Sequence, residues 1–190
     1  MGEISAGKVK ELREISGAGM MDCKKALLES AGDIQKAMDF LRKSGIAKAQ
    51  KKAGREVKDG IISTYIHPGS KLGVMLEINC ETDFVAKTPT FQDLSRDIAM
   101  HIAAASPISV SKDDIPTNVI EKEREIYMDQ AKNSGKPEEI AVKIVDGKMD
   151  KFCKENALLE QSFVKDPNMT VNEVITDIIA KLGENISISR

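Results

Sequence analysis

The sequence contains no tryptophan, and only 4% of its 190 residues are aromatic. Proteins that stack single-stranded nucleic acids on aromatic rings need more of these side chains, so the composition argues against that class. Apolar runs such as residues 102–105 fall far short of the ~20 residues that a membrane helix needs. The N-terminus lacks the basic-then-apolar pattern of a signal peptide, and the residues after Gly2 do not form a myristoylation motif. We therefore expect a soluble, cytoplasmic protein with no membrane partner.

Cysteine and histidine are also scarce. The three cysteines are Cys23, Cys80 and Cys153, and the two histidines are His67 and His101. Their spacing is not that of a zinc site, and an odd cysteine count fits a reducing compartment. We interpret the cysteines as small buried hydrophobic residues and the histidines as structural or exposed, and we expect no metal.

Sequence signatures of catalysis are few. Neither common spacing of a glycine-rich phosphate loop occurs, and no nucleophile-elbow sequence supports a serine hydrolase. We therefore expect a protein that is not an enzyme and needs no cofactor of its own.

The charge is nearly balanced overall but uneven along the chain. The formal net charge is −2. Residues 1–60 hold thirteen Lys or Arg against nine Asp or Glu, and residues 61–190 hold fifteen against twenty-one. The weakly basic N-terminal third favours an acidic partner, but this excess is too small to indicate nucleic acid by itself.

Residues 1–45 are predicted to form a module of three short helices, because apolar residues recur there at helical spacing. The expected helix starts are Ser5, Asp22 and Asp33, and the expected stops are Gly17, Gly32 and Gly45. The positions expected to face the core of the first two helices are Val9, Leu12, Ile15, Cys23, Ala26 and Leu27. A unit this small has no room for a deep cleft, so we expect a docking surface.

Residues 46–59 are a basic linker, in which five of fourteen residues are Lys or Arg. One interpretation is a nucleic-acid contact, which would make the protein an RNA-binding adaptor with steep salt dependence. The other, which we favour, is a solvated connector with part-helical character.

Residues 60–190 are predicted to form an α+β core domain. Residues 61–66 are rich in β-formers, residues 67–70 have turn chemistry, and residues 72–80 alternate strictly, which predicts a hairpin with one buried face. The spacing predicts helices before Pro107, over 117–134, after Pro137 and after the capping box at Thr170. Strands are predicted over 158–164 and from Ile186. The expected sheet is small and mainly antiparallel, and helices pack on it.

Within this domain, the apolar residues expected to face inward from the two middle helices are Val119, Ile120, Ile126, Tyr127, Ile140, Ile144 and Phe152.

The segment 80–86, directly after the best predicted strand, leaves three hypotheses open. Glu81 and Asp83 could be an acid–base pair, which would predict hydrolysis without a protein partner. A helix could start here, with Thr82 or Asp83 as cap and Phe84 in the core. Alternatively, the segment could be a protruding wedge, with apolar Phe84 and anionic Asp83 aimed at a partner.

Two adjacent methionines, Met20 and Met21, follow the Gly17-Ala18-Gly19 turn. Both cannot face one core from a short helix, so at least one is expected at the surface, where methionine adapts well to protein partners.

These residues resemble those of the bacterial elongation factor Ts family. The similar segments at the N-terminus are residues 9–13 (Val-Lys-Glu-Leu-Arg), 17–27 (Gly-Ala-Gly-Met-Met-Asp-Cys-Lys-Lys-Ala-Leu) and 43–45 (Lys-Ser-Gly). Residues 81–86 (Glu-Thr-Asp-Phe-Val-Ala) look like the core signature of the family. Its C-terminal landmarks are matched by residues 135–137, 151–152 and 158–166. The resemblance covers nearly the whole chain in order.

The resemblance implies a guanine nucleotide exchange factor that acts on elongation factor Tu during protein synthesis. It implies that the N-terminal module has a ubiquitin-associated-like fold and docks on the GTP-binding domain of this partner. The residues that match this contact are Arg13, Met20 and Met21. The residues that match the segment dislodging the Mg²⁺ of the partner are Thr82, Asp83, Phe84 and Val85.

Two departures from the longer family members shape our expectations. The chain has one core half rather than two, which resembles short forms that act as homodimers. The family usually continues after Gly183 with a strand rich in Arg and Phe, whereas this sequence stops at Arg190, so we expect a short or cut final strand.

Overall fold

The computed structural model describes residues 4–134 and 137–190. Residues 1–3, which begin the N-terminal segment predicted to lack signal and lipidation motifs, and the family landmark at Gly135 and Lys136 lie outside this range. The helices are α1 (Ala6–Ser16), α2 (Met20–Glu29), α3 (Ile34–Lys52), α4 (Asp83–Ala86), α5 (Pro89–Ala105), α6 (Thr117–Asn133), α7 (Glu138–Asn156) and α8 (Val171–Leu182). The strands are β1 (Asp59–Ile66), β2 (Gly73–Cys80), β3 (Ser162–Phe163), β4 (Asp166–Thr170) and β5 (Ile186–Ile188). The α+β prediction is confirmed.

The chain divides into two compact units. The first takes residues up to Ile61, with Ile78–Leu94 and Glu173–Ser187; the second takes Ile62–Glu77, Ser95–Asn172 and Ile188–Arg190. Strands β1, β2 and β5 each pass from one unit into the other. The predicted division of the sequence into a helical module (1–45), a basic linker (46–59) and a core domain (60–190) stays a prediction.

The first unit begins with the three predicted helices. Ser5 caps α1 by accepting a hydrogen bond from the Lys8 N–H at 3.3 Å, and Gly17, in the left-handed region at φ +66°, ends it. Their core is tight, since the side chains of Leu12, Cys23 and Leu27 are fully buried. Ile15 was expected in this core and is instead 59% exposed.

Two predicted helix ends in this module are wrong. Helix α2 begins at Met20 with Gly19 as its cap, not at Asp22. The Asp22 carboxylate lies in the first turn, where the helix dipole favours it, and accepts from the Lys48 ammonium at 2.6 Å. Helix α3 continues through Gly45 to Lys52, so half of the predicted linker is helical.

The three-stranded sheet has the order β1-β2-β5 and includes the predicted hairpin. The buried face of β2 carries Leu76, Ile78 and Cys80, each fully buried. On the other face, a Cβ on Gly73 would lie 3.1 Å from the Ile66 Cδ1 atom, so these two positions share one side of the hairpin.

The second unit includes the antiparallel pair α6 and α7. Their buried contact is made by Ala131, Ala141, Val145 and Met149. The prediction for α7 was one position out of phase: Ile140 is 49% exposed, while Ala141 takes the inward position. A small alanine at the contact lets the two helices approach closely. A pattern of hydropathy alone favours isoleucine over alanine as the inward residue, so it missed Ala141.

The strand predicted over 158–164 is mostly wrong. Residues 158–160 form a 3₁₀ turn, and only Ser162 and Phe163 pair as a strand with β4, which the sequence did not predict. Residues 166–170 contain Pro167 and Asn168, which are uncommon in strands. Strand propensity therefore did not predict β4.

His101 is buried in the second unit with a defined tautomer. The Val164 N–H donates to Nδ1 at 3.2 Å, so the ring proton is on Nε2, which lies 3.0 Å from Gln161 Oε1. Burial lowers the pKa of His101 below its ordinary value. His101 is therefore structural, as predicted, while His67 is exposed.

Candidate functional site

The segment after β2 turns directly into the four-residue helix α4. Thr82 caps this helix, and its Oγ1 accepts from the Val85 N–H at 3.4 Å. Ala86 faces inward and is 4% exposed, whereas the Phe84 ring is 79% exposed. Residues two positions apart point to opposite sides of a helix, so burying Ala86 turns Phe84 outward. The helix start with Thr82 as cap is confirmed; the expectation of Phe84 in the core is wrong.

Asp83 shares this exposed tip with Phe84. Its Oδ2 atom accepts from the Lys87 ammonium at 2.6 Å, and this hydrogen bond holds the pKa of the Asp83 carboxyl below its ordinary value. The pair has the i,i+4 spacing that favours ion pairs on helices. The tip therefore presents an aromatic ring next to a carboxylate that stays ionised at neutral pH.

The base of the tip is held by an exchange of hydrogen bonds between residues 81–82 and 184–185. The Glu184 carboxylate accepts from both the N–H of Thr82, at 3.0 Å, and its hydroxyl, at 2.7 Å. In return, the Glu81 carboxylate accepts from the Asn185 N–H at 2.6 Å and from Arg55 at 3.5 Å. Glu81 and Asp83 thus have separate partners, and this arrangement does not support the acid–base hypothesis.

Cys80 packs beneath the same segment. The thiol is buried and donates to the Thr82 carbonyl oxygen at 3.1 Å. Burial raises the pKa of the Cys80 thiol, which favours the neutral form. Cys23 is likewise buried and Cys153 is half-buried, so the structural interpretation of the cysteines is confirmed for the first two.

A second exposed surface surrounds the turn between α1 and α2. Met20 and Met21 are the first two residues of α2 and are 55% and 76% exposed. Arg13 lies in the last turn of α1 and is exposed. Ile15 adds a third large apolar side chain at the end of α1. The prediction that at least one methionine is at the surface is confirmed.

Both surfaces belong to the first unit, where α8 contacts the N-terminal module. A Cβ on Gly45 of α3 would lie 3.2 Å from the Ala180 Cβ of α8, so the two helices approach closely there. Arg42 on α3 also donates to Glu173 on α8 at 3.1 Å. The end of α8 leads through Gly183 to Glu184, which holds the α4 segment. Helix α8 therefore contacts α3 of the N-terminal module and leads into the residue that holds the α4 segment.

Sequence reasoning missed the residues that support these surfaces. The pairing of Asp83 with Lys87 has a signal, since their i,i+4 spacing is visible in the sequence. Glu184 and Gly45 carry no such signal, because their partners lie 102 and 135 positions away along the chain. The pairing of β2 with β5 brings Glu184 to Thr82, and the packing of α3 on α8 brings Gly45 to Ala180.

Within residues 4–134 and 137–190, no group of three or more His, Cys, Asp or Glu side chains is placed to hold a metal ion. No helix in the same ranges is long and apolar enough to cross a membrane.

Comparison with known proteins identifies one family. Residues 5–178 match the family model described as Elongation factor TS. The chain is 57% identical over 99% of its length to the elongation factor Ts of Fervidobacterium nodosum, and covers 95% of that protein. It is 53% identical over its full length to the elongation factor Ts of Desulfosudis oleivorans, with 96% of that protein covered. The matched range includes both exposed surfaces.

Proposed function

The chain belongs to the elongation factor Ts family, and on that basis we propose that it promotes guanine nucleotide exchange on elongation factor Tu during translation elongation. It binds the GDP form of this partner, weakens the hold on Mg²⁺ and so speeds GDP release and reloading with GTP. It is not an enzyme and carries no cofactor of its own, because the Mg²⁺ and the nucleotide belong to the partner. A translation factor of this kind works in the cytoplasm.

The observation that carries this proposal is the tip of α4. Phe84 is 79% exposed, and aromatic side chains are enriched in the cores of protein interfaces, so this ring is suited to insertion into a partner. It stands beside the ionised Asp83 on a helix of only four residues, so the tip is narrow. Thr82 caps this helix and half-buried Val85 supports it, which makes residues 82–85 the wedge.

The target of the wedge follows from the chemistry of magnesium. Mg²⁺ requires nearly ideal octahedral coordination by oxygen ligands and neutralises the phosphates of the nucleotide. Moving one ligand by about an ångström weakens the metal and then the diphosphate. Phe84 supplies the bulk for such a displacement, and Asp83 supplies a negative charge that competes with the ligands or repels the phosphates.

Docking is proposed to use Arg13, Met20 and Met21 against the GTP-binding domain of the partner. The exposed methionines provide an adaptable apolar contact, and exposed Arg13, in the last turn of α1, provides a positive charge. Because coupling is reciprocal, if the chain lowers the affinity for GDP, GDP lowers the affinity for the chain by the same factor.

We propose no direct contact with nucleic acid. The basic segment that suggested one already has acidic partners within the chain. Three of its five cations form ion pairs: Lys48–Asp22 at 2.6 Å, Arg55–Glu81 at 3.5 Å and Lys58–Glu56 at 3.1 Å. These contacts fit the connector interpretation better than a phosphate-binding stripe.

We also propose that two copies form a homodimer through the outer face of the β1–β2 hairpin. Ile62, Ile66 and Met75 are 62%, 63% and 72% exposed there. A sheet face with three large apolar side chains in water is typical of an interface. A second copy offers the same apolar face, as a two-fold contact requires.

The experiment that tests the exchange function measures release of labelled GDP from elongation factor Tu with and without the chain, in Mg²⁺ and in excess EDTA. We expect strong acceleration in Mg²⁺ and little further acceleration in EDTA, where the metal has already been removed. A folded chain that does not accelerate release in Mg²⁺ contradicts the function. Equal acceleration in both conditions contradicts the magnesium step alone.

A further inference from the structure

Glu184 binds the wedge segment through both of its carboxylate oxygens. Oε2 accepts from the Thr82 N–H at 3.0 Å, and Oε1 accepts from the Thr82 hydroxyl at 2.7 Å. A carboxylate that accepts two hydrogen bonds from one residue fixes both the backbone and the side chain of that residue, and such charge-assisted bonds are stronger than neutral ones.

The Thr82 hydroxyl is the link between Glu184 and the helix tip. Because its hydrogen is donated to Glu184, the oxygen lone pairs are left to accept from the Val85 N–H at 3.4 Å. That second bond is the N-cap of α4. A hydroxyl without the Glu184 acceptor could rotate, and the start of a four-residue helix depends on its cap more than a long helix does.

The position of Glu184 is set by the fold rather than by chance contact. Strands β2 and β5 are neighbours in the sheet, and residues 81–82 and 184–185 lie just beyond their ends. Gly183 ends α8 in the left-handed region, at φ +82°, which directs the chain into this pairing. The Asn185 N–H donates to Glu81 at 2.6 Å and completes the exchange from the other side.

We infer that Glu184 is a positioning residue for nucleotide exchange: it orients Thr82, and through Thr82 it sets the direction in which α4 presents Phe84. This inference rests on the proposed exchange function. Glu184 is half-buried at the base of the tip and both of its carboxylate oxygens are bonded to Thr82, so its action on the tip runs through Thr82. Because a wedge held in this way is already ordered, none of the free energy of binding to the partner is needed to order it during insertion.

The test replaces Glu184 by glutamine, which keeps the size of the side chain and exchanges one acceptor oxygen for an NH₂ donor. Release of labelled GDP from elongation factor Tu is measured over a range of chain concentrations. We expect Glu184→Gln to lower the release rate at saturation about tenfold, the equivalent of losing one hydrogen bond to a charged acceptor. The half-saturating concentration should stay within about twofold, because the docking surface is untouched.

The matched control is Glu155→Gln on α7. Glu155 is paired with Lys151 at 3.6 Å and its side chain is 62% exposed, so the variant makes the same change of charge away from the tip. It should release GDP at the wild-type rate. A double-mutant cycle with Thr82→Val tests the route of the effect: if Glu184 acts through Thr82, the combined loss is smaller than the sum of the two losses expressed as free energies.

A readout on the free chain separates this inference from the function on which it rests. Amide hydrogen exchange at Thr82 should be faster in Glu184→Gln than in the wild type or the control. If the wild type accelerates GDP release and Glu184→Gln does so equally at saturation, the positioning role is overturned while the exchange function stands. If the wild type does not accelerate release, the function is overturned and the role with it. The role is also overturned if the losses caused by Glu184→Gln and Thr82→Val are additive as free energies. It is likewise overturned if Glu184→Gln lowers both the thermal midpoint of the chain and its affinity for the partner.

Discussion

Individual side chains at the tip of α4 decide how the wedge meets its partner. Phe84 and Asp83 are exposed there, and neither contributes to a buried core. Exposed side chains contribute little to stability. Their effects on exchange and on folding can therefore be separated, which is not possible for a buried residue such as Leu12.

The ion pair between Asp83 and Lys87 gives a prediction about a single carboxyl. Lys87→Met removes the hydrogen bond and the positive charge that lower the pKa of Asp83, so this pKa should rise towards its ordinary value of 3.8. Carboxyl ¹³C shifts followed through a pH titration measure it. The control is Lys151→Met, which removes a comparable cation on α7. An Asp83 titration that is unchanged by Lys87→Met contradicts the pairing.

His101 gives a prediction about stability and pH. Its pKa in the folded chain is lowered from 6.5, so below about pH 6.5 the unfolded chain binds protons that the folded chain does not. Stability should therefore fall as the pH drops below this value, and the thermal midpoint should be a few degrees lower at pH 5.5 than at pH 7.5.

Variants at both histidines identify which group causes this slope, the dependence of the thermal midpoint on pH. His101→Gln removes the titrating ring and should flatten the pH dependence, even though it also lowers stability overall. His67→Gln, at an exposed position, should leave the slope unchanged. Retention of the full slope in His101→Gln would assign it to another group.

At the scale of elements, the packing of α3 on α8 connects the N-terminal module to the wedge. Gly45 was predicted to end α3, because glycine after a periodic segment is a common stop signal. In the structure it lies within the helix and faces Ala180. Sequence alone cannot distinguish these two uses of glycine, since the reason for the second is the close approach of a distant helix.

A pair of substitutions tests this contact. Gly45→Leu improves helix propensity but places a large side chain where a Cβ already lies 3.2 Å from Ala180, and we expect a loss of about 1–3 kcal/mol in the free energy of unfolding. Gly147→Leu makes the same change on α7, where a Cβ meets nothing within 4 Å, and should gain up to about 1 kcal/mol. Denaturant unfolding measures both. If the two variants change stability in the same direction, the close contact is not as described.

At the scale of the whole molecule, the sequence predicted the fold class and most elements, because periodic apolar positions dictate them. The hairpin, α1, α5 and α8 follow such patterns. The two-residue strand β3 and the strand β4 do not, since they are held by pairing with each other. For the wedge, the resemblance identified the residues and implied that they reach a partner, whereas the residue pattern alone left Phe84 either in the core or exposed, because a four-residue helix is too short for periodicity to indicate a face.

The proposed homodimer gives a prediction at this scale. Ile66→Glu together with Met75→Glu places two charges on the outer face of the hairpin, where burial against a second copy would be costly. We expect sedimentation equilibrium to show a dimer for the wild type and a monomer for this variant. The control is Ile140→Glu on α7, which is also exposed, at 49%, and should leave the mass unchanged. A monomeric wild type contradicts the dimer.

The most direct test of the wedge is stopped-flow release of a fluorescent GDP analogue from elongation factor Tu, with the wild type and with Asp83→Ala/Phe84→Ala. Both side chains are exposed, so the double variant should fold with the thermal midpoint of the wild type. We predict strong acceleration by the wild type and a loss of at least about tenfold in the saturating rate for the variant, with docking largely retained. A double variant that accelerates release as fast as the wild type would contradict the central claim that this tip drives nucleotide exchange.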